Sequence, residues 1–496
     1  MKNRRFTTVT ALLLLCSTML AAVSCASDKP DTANSDTTAA DTQATEAADT
    51  SPGADLPDYD GKGAEFVILS RSEAPFDTDF DLEAETGDTI NDATYLRDRT
   101  VEERLNVDIK ALKIEGDYTK YDNFHTYFTQ SIMAGSNDFQ LVSGYTYRIA
   151  STTLDGSFVD WYTVPYIDLE KPWWAEGFLE AASINNHSYI ITGDLSSSFL
   201  QFTYAVFFNK NMAEAFDVSD VYGIVKDGKW TLDKMEEIGA EVSADLNGDG
   251  VMDHTDRWGF VTGRSTRTDA FLYAFEVPLS ARDNDGIPYL LGVTEKYQQV
   301  IEAVNDLLWN NSVGYLYWDY SATDETIAVF TDGHCLFTPN RLFDASFLRD
   351  MDDDFGIIPY PKWDEAQEDY HTYYDDRCSS FAVPVTAPDL ELVGIVTELM
   401  AAKSYEFVRP AIYEVALKTK YARDDDSQEM IDMILDSMIF EFTNIYAYSF
   451  GNQQSPAHSL RINVRKNSND LTSYFATLDS VYTETMEKLI SSVTGQ

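Results

Sequence analysis

The sharpest chemical spacing in the chain runs from Asp245 to Asp256. Side-chain oxygens fall at positions 1, 3, 5, 9 and 12 of a twelve-residue stretch, as Asp245, Asn247, Asp249, Asp253 and Asp256. Gly250 stands at position 6, where a sharp turn is needed, and the Val251 carbonyl stands at position 7. Hard cations such as calcium take oxygen ligands from these positions, so the spacing predicts a calcium loop. A helix is expected before it, but Arg257-Trp258-Gly259-Phe260-Val261 after it is strand-like, which makes it half of the usual helix–loop–helix unit. Without a second helix to move, a bound ion would brace the loop and not act as a sensor. The closing Asp256 is shorter than the usual glutamate, which argues against tight bidentate closure.

A second motif lies at the start. Lys2, Arg4 and Arg5 precede an apolar stretch from Ala11 to Leu20, too short for a spanning helix. Ala22-Val23-Ser24-Cys25 then resembles a bacterial lipobox, with Cys25 as the residue to be acylated. Residues 1–24 are therefore expected to be a lipoprotein signal peptide. From Cys25 to residue 60 the chain is rich in Asp, Thr, Ala and Ser, a composition that cannot bury a core and serves as a solvated tether. The expected plan is anchor, leash and head, with the head at the extracellular face of the membrane and attached to it only through lipid.

Other chemistry is sparse. The sequence has no Gly-rich phosphate loop, no zinc-type histidine pair and no Gly-x-Ser-x-Gly elbow, and its six histidines are scattered. With 83 acidic residues, paired carboxylates arise by chance and identify no glycosidase. Cys335 and Cys378 stand 43 residues apart, a spacing that fixes neither a disulfide nor its absence. The net charge of -47 makes a nucleic-acid backbone an improbable partner, because phosphates repel such a surface. The expectation is a binding protein and not an enzyme.

The elements that must position any site follow from periodicity. Glu65–Leu69 forms an apolar run that predicts a strand, with a helix from Asp88 or Thr89 to about Leu105. Val107–Ile109, a helix over Tyr121–Ala134 and Phe139–Val142 continue the alternation, which predicts a parallel α/β sheet. Ligands in such sheets sit at the carboxyl ends of strands, so Ser70, Arg71, Ser143, Gly144 and Tyr145 mark a candidate cleft. Beyond residue 160 come a strand at Tyr204–Phe208 and a helix from Trp230-Thr231 to about Ala244. A longer helix spans Val293–Trp309, and short strands are expected around 335–337, 355–358 and 381–383. Glu391–Lys403 is amphipathic, and Asp426 with Glu429 forms a capping box before a further helix.

Several of these segments carry a resemblance. Ala205–Lys210, Gly228-Lys229-Trp230-Thr231, Asp332–Phe337, Phe355–Lys362 and Ser379–Pro384 follow one another in the order found in extracellular solute-binding proteins of sugar ABC importers. The chain resembles that family, which includes the maltodextrin-binding proteins, from about residue 60 to 440. The resemblance implies a two-lobed periplasmic-binding-protein-like α/β fold, with crossover hinge strands and a ligand cleft between the lobes. It places lobe 1 at 61–160 and 326–395, and lobe 2 at 161–325. Residues 396–496 form a mainly helical C-terminal part, mostly of lobe 2.

The implied function is capture of a sugar or oligosaccharide by a monomer and its delivery to an ABC permease. A peptide or another polar solute is the alternative cargo, and a surface glycan-acting enzyme or adhesin is the rival from a different class. A sugar needs aromatic platforms and bidentate polar groups. Candidates are Tyr145, Trp161, Trp173, Trp174, Trp258, Tyr317, Trp318 and Arg341. Asp375, Asp376 and Arg377, just before a strand, are either hydroxyl-binding groups or a solvated loop.

Overall fold

Asp88 begins the first long helix because its carboxylate accepts from the Ile90 and Asn91 amides, two of the donors a helix start leaves unpaired. The helix, Thr89–Leu105, ends where Asn106 turns left-handed. Its buried face, with Val101 and Leu105, packs against the helix Leu390–Lys403, whose own face is almost wholly apolar. These contacts come from a computed structural model, which describes residues 53–117, 119–218, 220–317, 323–348, 350–418 and 425–495. The expected signal peptide, Cys25, most of the expected tether and Trp318 lie outside the described residues. Among the described residues no helix is long and apolar enough to cross a membrane.

Two mixed sheets organise the head. In the first, the strands run in the order Ser379–Ala382, Leu141–Tyr145, Ala64–Arg71, Val107–Ile114. The last three are mutually parallel, and Ser379–Ala382 returns antiparallel beside Leu141–Tyr145. The carboxyl ends at Arg71 and Tyr145 thus meet the amino end at Ser379. In the second sheet the order is Phe355–Ile358, Tyr204–Asn209, Cys335–Arg341, Trp258–Gly263, Gly314–Tyr317. Tyr204 pairs with Arg341, and Trp258–Gly263 runs parallel to Cys335–Arg341. Tyr204, Arg341 and the residues after Gly263 therefore share one edge.

Helix Leu232–Val242 lies against the second sheet at a glycine contact. A Cβ on Gly259 would stand 2.3 Å from the Gly239 Cα, so the close crossing admits no side chain there. The helix stops two residues short of the expected Ala244, and the Ser243 hydroxyl accepts from the Gly259 amide at 2.9 Å. The expected helix at Val293–Trp309 opens at its Thr294 cap and loosens into a π turn over Asp306–Asn310. Asp426 and Glu429 do not cap a helix but lie within Asp425–Asp436, where both pair with Lys226.

The segments that carry the chain between the lobes pair with one another. Thr203 bridges Tyr374, the Thr372 hydroxyl donates to the Tyr204 carbonyl at 2.6 Å, and Met438-Ile439 lies parallel beside Thr372-Tyr373. The lobe boundaries differ from those expected: Cys335–Arg341 and Phe355–Ile358 join the second sheet and so belong to lobe 2, Trp161, Trp173 and Trp174 lie in the core of lobe 1, and the C-terminal part is divided more evenly than expected. Leu390–Lys403 runs unbroken through residue 395 and stays with lobe 1, while Asp425–Asp436 packs on Phe355–Ile358 of lobe 2. The last helix, Leu471–Thr494, packs on Thr152–Asp155 of lobe 1, and Asn469 just before it accepts from Asn305 of lobe 2 at 2.5 Å.

Candidate functional site: an arginine-lined cleft between the lobes

The strand edges of the two sheets face each other across a cleft. On the first lobe, the Arg71 guanidinium lies between the rings of Phe76 and Tyr145, 3.2 and 3.9 Å from their centroids. It donates to the Arg377 carbonyl at 3.0 Å and to the Ser379 hydroxyl at 2.6 Å. Arg71 is 1% exposed, so it fixes the wall and does not reach into the opening.

Asp375 stands at the centre, wholly buried, with Arg377 bound to it and Arg341 of the second lobe 3.9 Å away. Burial alone would raise its carboxyl, but Arg377 and Arg341 outweigh that and hold it well below the usual carboxylate range. Arg341 also pairs with buried Asp344 at 2.8 Å, and Arg267 approaches the same carboxylate at 3.8 Å. Arg461 binds Asp269 at 2.7 Å, and His458 stands 3.5 Å from Asp376. The Tyr204 hydroxyl bonds that of Thr266 at 2.7 Å.

These groups enclose a cavity of about 210 Å³ with walls from both lobes and from the C-terminal segment. Tyr147 and Arg377 close one side, Tyr204, Arg264 and Arg341 the other, and Arg465 a third. A second cavity of about 350 Å³ lies beyond, where Phe343 and Ser346 face Asp77 and Asn91. Arg341 borders the first cavity, and its neighbours Leu342 and Phe343 border the second.

No family profile matches the sequence, and no curated protein matches it. Solved structures do match it in shape. A cyclo/maltodextrin-binding protein complexed with maltotetraose superposes with a TM-score of 0.57 at 10% identity, over 86% of this chain and 98% of its own. The galacto-N-biose/lacto-N-biose I-binding protein of a Bifidobacterium longum ABC transporter, in complex with lacto-N-biose, gives 0.57 at 12% identity, over 87% and 98%. A sugar transporter protein of Rhizobium etli in an open conformation gives 0.55 at 12%, over 86% and 99%. The fold is that of the maltodextrin-binding proteins.

Within the maltodextrin-binding fold, the sequence-predicted site residues separate into two groups. Arg341 lines the cleft, while Tyr145 and Arg71 are buried beside it. Ser70, Ser143 and Gly144 lie inside their strands and are buried. The third strand starts at Leu141, two residues later than expected, and Gly144 is needed because the Phe124 ring presses where its Cβ would stand.

The described candidate tryptophans, Trp161, Trp173, Trp174 and Trp258, pack inside the protein. Trp161, Trp173 and Trp174 belong to the first-lobe core; Trp161 donates to the Phe381 carbonyl and Trp174 to Glu398. Trp258 starts its strand at the end away from the cleft, stacks on Tyr315 and donates to the Asp253 carbonyl at 2.7 Å. Tyr317 packs edge-on to Tyr315 on the outer strand. Large rings dominate cores, and one sequence cannot separate that use from a sugar platform.

Asp375 and Asp376 are buried and form no solvated loop. Cys335 and Cys378 are both buried free thiols. The cleft arginines Arg264, Arg267, Arg461 and Arg465, and Tyr204, were not anticipated. Arg264 follows a strand's carboxyl end, the same signal that marked Arg71, whereas Arg461 and Arg465 lie where the family resemblance is weakest.

The Asp245–Asp256 loop closes on its own backbone. Asp245 accepts from the Gly248 and Gly250 amides, and Asn247 from Asp249. Asp256 is fully buried and staples the loop ends, accepting from Leu246 at 2.9 Å and Asp253 at 2.8 Å. Its carboxylate ties the two ends of the loop together at its base. Among the described residues, no three His, Cys, Asp or Glu side chains gather as a set that could hold an ion.

Proposed function

We propose that this protein is the extracellular solute-binding component of an ABC importer, capturing a sugar or oligosaccharide and handing it to the permease without altering it. The observation that carries this is the cleft: both lobes supply its walls, and the crossover segments joining them pair at Thr203 and Tyr374. Such segments can absorb the dihedral change of closure while each sheet stays rigid. The arginines of the lining supply fixed donors for a sugar's hydroxyls, and Asp376, Asn452 and Gln453 supply acceptors. The neighbours of like fold with sugars bound support the same cargo.

Thermal unfolding of the purified protein against mono-, di- and oligosaccharides, amino acids and peptides tests this. A ligand that binds only the native state adds about 2.7 kcal/mol at a hundredfold excess over its Kd. A glycan that raises the midpoint and is recovered intact fits the proposal. Peptides alone shifting it would favour the alternative cargo, and a cleaved glycan would mean an enzyme.

Anchoring through acylated Cys25, a monomeric state and permease docking are parts of the same proposal. Mass spectrometry of the membrane-bound protein, and release of a Cys25→Ala variant into the medium, test the anchor. A structural calcium ion in the Asp245–Asp256 loop is also proposed, on the spacing of its oxygens, with Asp245, Asn247, Asp249, Asp253 and the Val251 carbonyl as the groups that would hold it.

A further inference from the structure

The polar groups that line the first cavity divide by what they already hold. Arg341, Arg377 and Arg461 are each bound to a buried aspartate, and the Tyr204 hydroxyl is bound to that of Thr266. His458 lies 3.5 Å from Asp376, and its Nδ1 donates to the Asn452 carbonyl at 2.9 Å. These pairs fix the wall, because moving one member leaves a buried partner uncompensated. Asn452 and Gln453 line the same cavity and are half-buried. Among the described residues, neither of their side-chain amides meets a hydrogen-bond partner.

The loop that carries these two amides is nevertheless held from several sides. Gly451 and Asn452 are both left-handed, at φ 81° and 54°, a turn that Gly and Asn make at least cost. The Asn452 amide donates to the Ala447 carbonyl at 2.8 Å, and the Asn452 carbonyl accepts from the Ser455 amide at 2.9 Å. The Ser455 hydroxyl donates to the Thr443 carbonyl at 2.6 Å. Tyr482, on the last helix, donates to the Gln454 carbonyl at 2.6 Å. A ligand would therefore meet Asn452 and Gln453 without first paying to order their backbone, which is preorganisation.

A carboxamide carries one acceptor oxygen and two donor hydrogens in a plane. Adjacent hydroxyls on a neutral sugar ring both donate and accept, so they match it. An oxyanion would meet the amide oxygens and the Asp376 carboxylate as like charge, and an ammonium group would meet the amide hydrogens in the same way.

We infer that Asn452 and Gln453 determine the specificity of the cleft, their side-chain amides gripping adjacent hydroxyls of an uncharged sugar ring. This rests on the solute-capture function proposed above and deepens it by naming the groups that select the cargo.

The test is isothermal titration of the purified protein with maltotriose, lacto-N-biose, trigalacturonate and an uncharged-side-chain tripeptide. A neutral glycan is expected to bind tightest. Gln453→Ala should weaken that binding about three- to tenfold, the range of a neutral hydrogen bond. Asn452→Asp, which keeps a residue tolerant of left-handed backbone, should weaken it as well. Monodeoxy forms of the bound glycan give a readout that a packing role would not move. One of them should bind the parent more weakly than the full glycan does, and bind Gln453→Ala and the parent alike. The ligand-free unfolding midpoint of Gln453→Ala should match the parent's, because its amide holds nothing in the folded chain. Neutral-glycan binding indifferent to both substitutions, or tighter binding of trigalacturonate, overturns the inference and leaves sugar capture standing. Binding of the tripeptide with no glycan bound overturns both.

Discussion

Arg341 of the second lobe stands 3.9 Å from Asp375, which lies on the crossover segment leading back into the first lobe. Asp375 also holds Arg377, and Arg341 also holds Asp344, so one buried carboxylate links the arginines of both cleft walls.

Replacing Asp375 with asparagine leaves Arg377 without the charge that compensates it and Arg341 with Asp344 alone. Removing one partner of a buried ion pair typically costs about 3–5 kcal/mol. Asp375→Asn should lower stability by that order in denaturant titration and weaken ligand binding as well. A variant as stable as the parent would show that the carboxylate is not the linchpin described.

The tryptophans should behave in the opposite way. Trp161→Ala or Trp174→Ala removes a ring from the first-lobe core and should cost about 3–5 kcal/mol. Ligand affinity of the protein that remains folded should be unchanged. Calorimetric titration below the unfolding transition separates the two effects, and a large loss of affinity at native stability would return these rings to the site.

How much was visible beforehand follows from these contrasts. Strands such as Ala64–Arg71 and the helix Thr89–Leu105 show themselves because their apolar period and the Asp88 cap are local properties. The rule that ligands gather at strand carboxyl ends pointed to Arg71 and Tyr145, which the fold packs together beside the cleft. It could not tell that Arg71 turns sideways between two rings, because Phe76 and Ser379 are brought to it only by the fold. Trp161 and Tyr145 look alike in sequence as candidate platforms, and only the fold shows that both rings are packed inside. Arg461 and Arg465 reach the cavity by packing of Ser459–Val464 on Thr266–Ala274, a contact across nearly two hundred residues.

Stability should depend on pH through Glu398. Burial pushes its carboxyl from 4.5 up to about 7, although the Trp174 indole donates to it. Between about pH 4.5 and 7 the native state then holds a proton that the unfolded chain releases, so this group's contribution to stability falls as pH rises through that window. Glu398→Gln should unfold at a higher temperature than the parent at pH 8, with the difference shrinking towards pH 4. A difference independent of pH would contradict the assignment.

Calcium should raise the unfolding midpoint if the Asp245–Asp256 loop opens its carboxylates to an ion, and chelator should reverse the rise. Asp245→Ala should abolish the response. It should also loosen the loop without calcium, because Gly248 and Gly250 lose their acceptor. An identical midpoint with calcium and with chelator would leave the loop as a hydrogen-bonded turn.

The central claim, a solute held between two lobes, is tested most directly by hydrogen–deuterium exchange of the purified protein with and without the glycan that stabilises it. Protection is predicted at once around Tyr204, around Arg264–Arg267 and from Tyr373 to Ser379, because both walls and a crossover segment close on one ligand. Protection confined to a single lobe, or lying away from these segments, would contradict it.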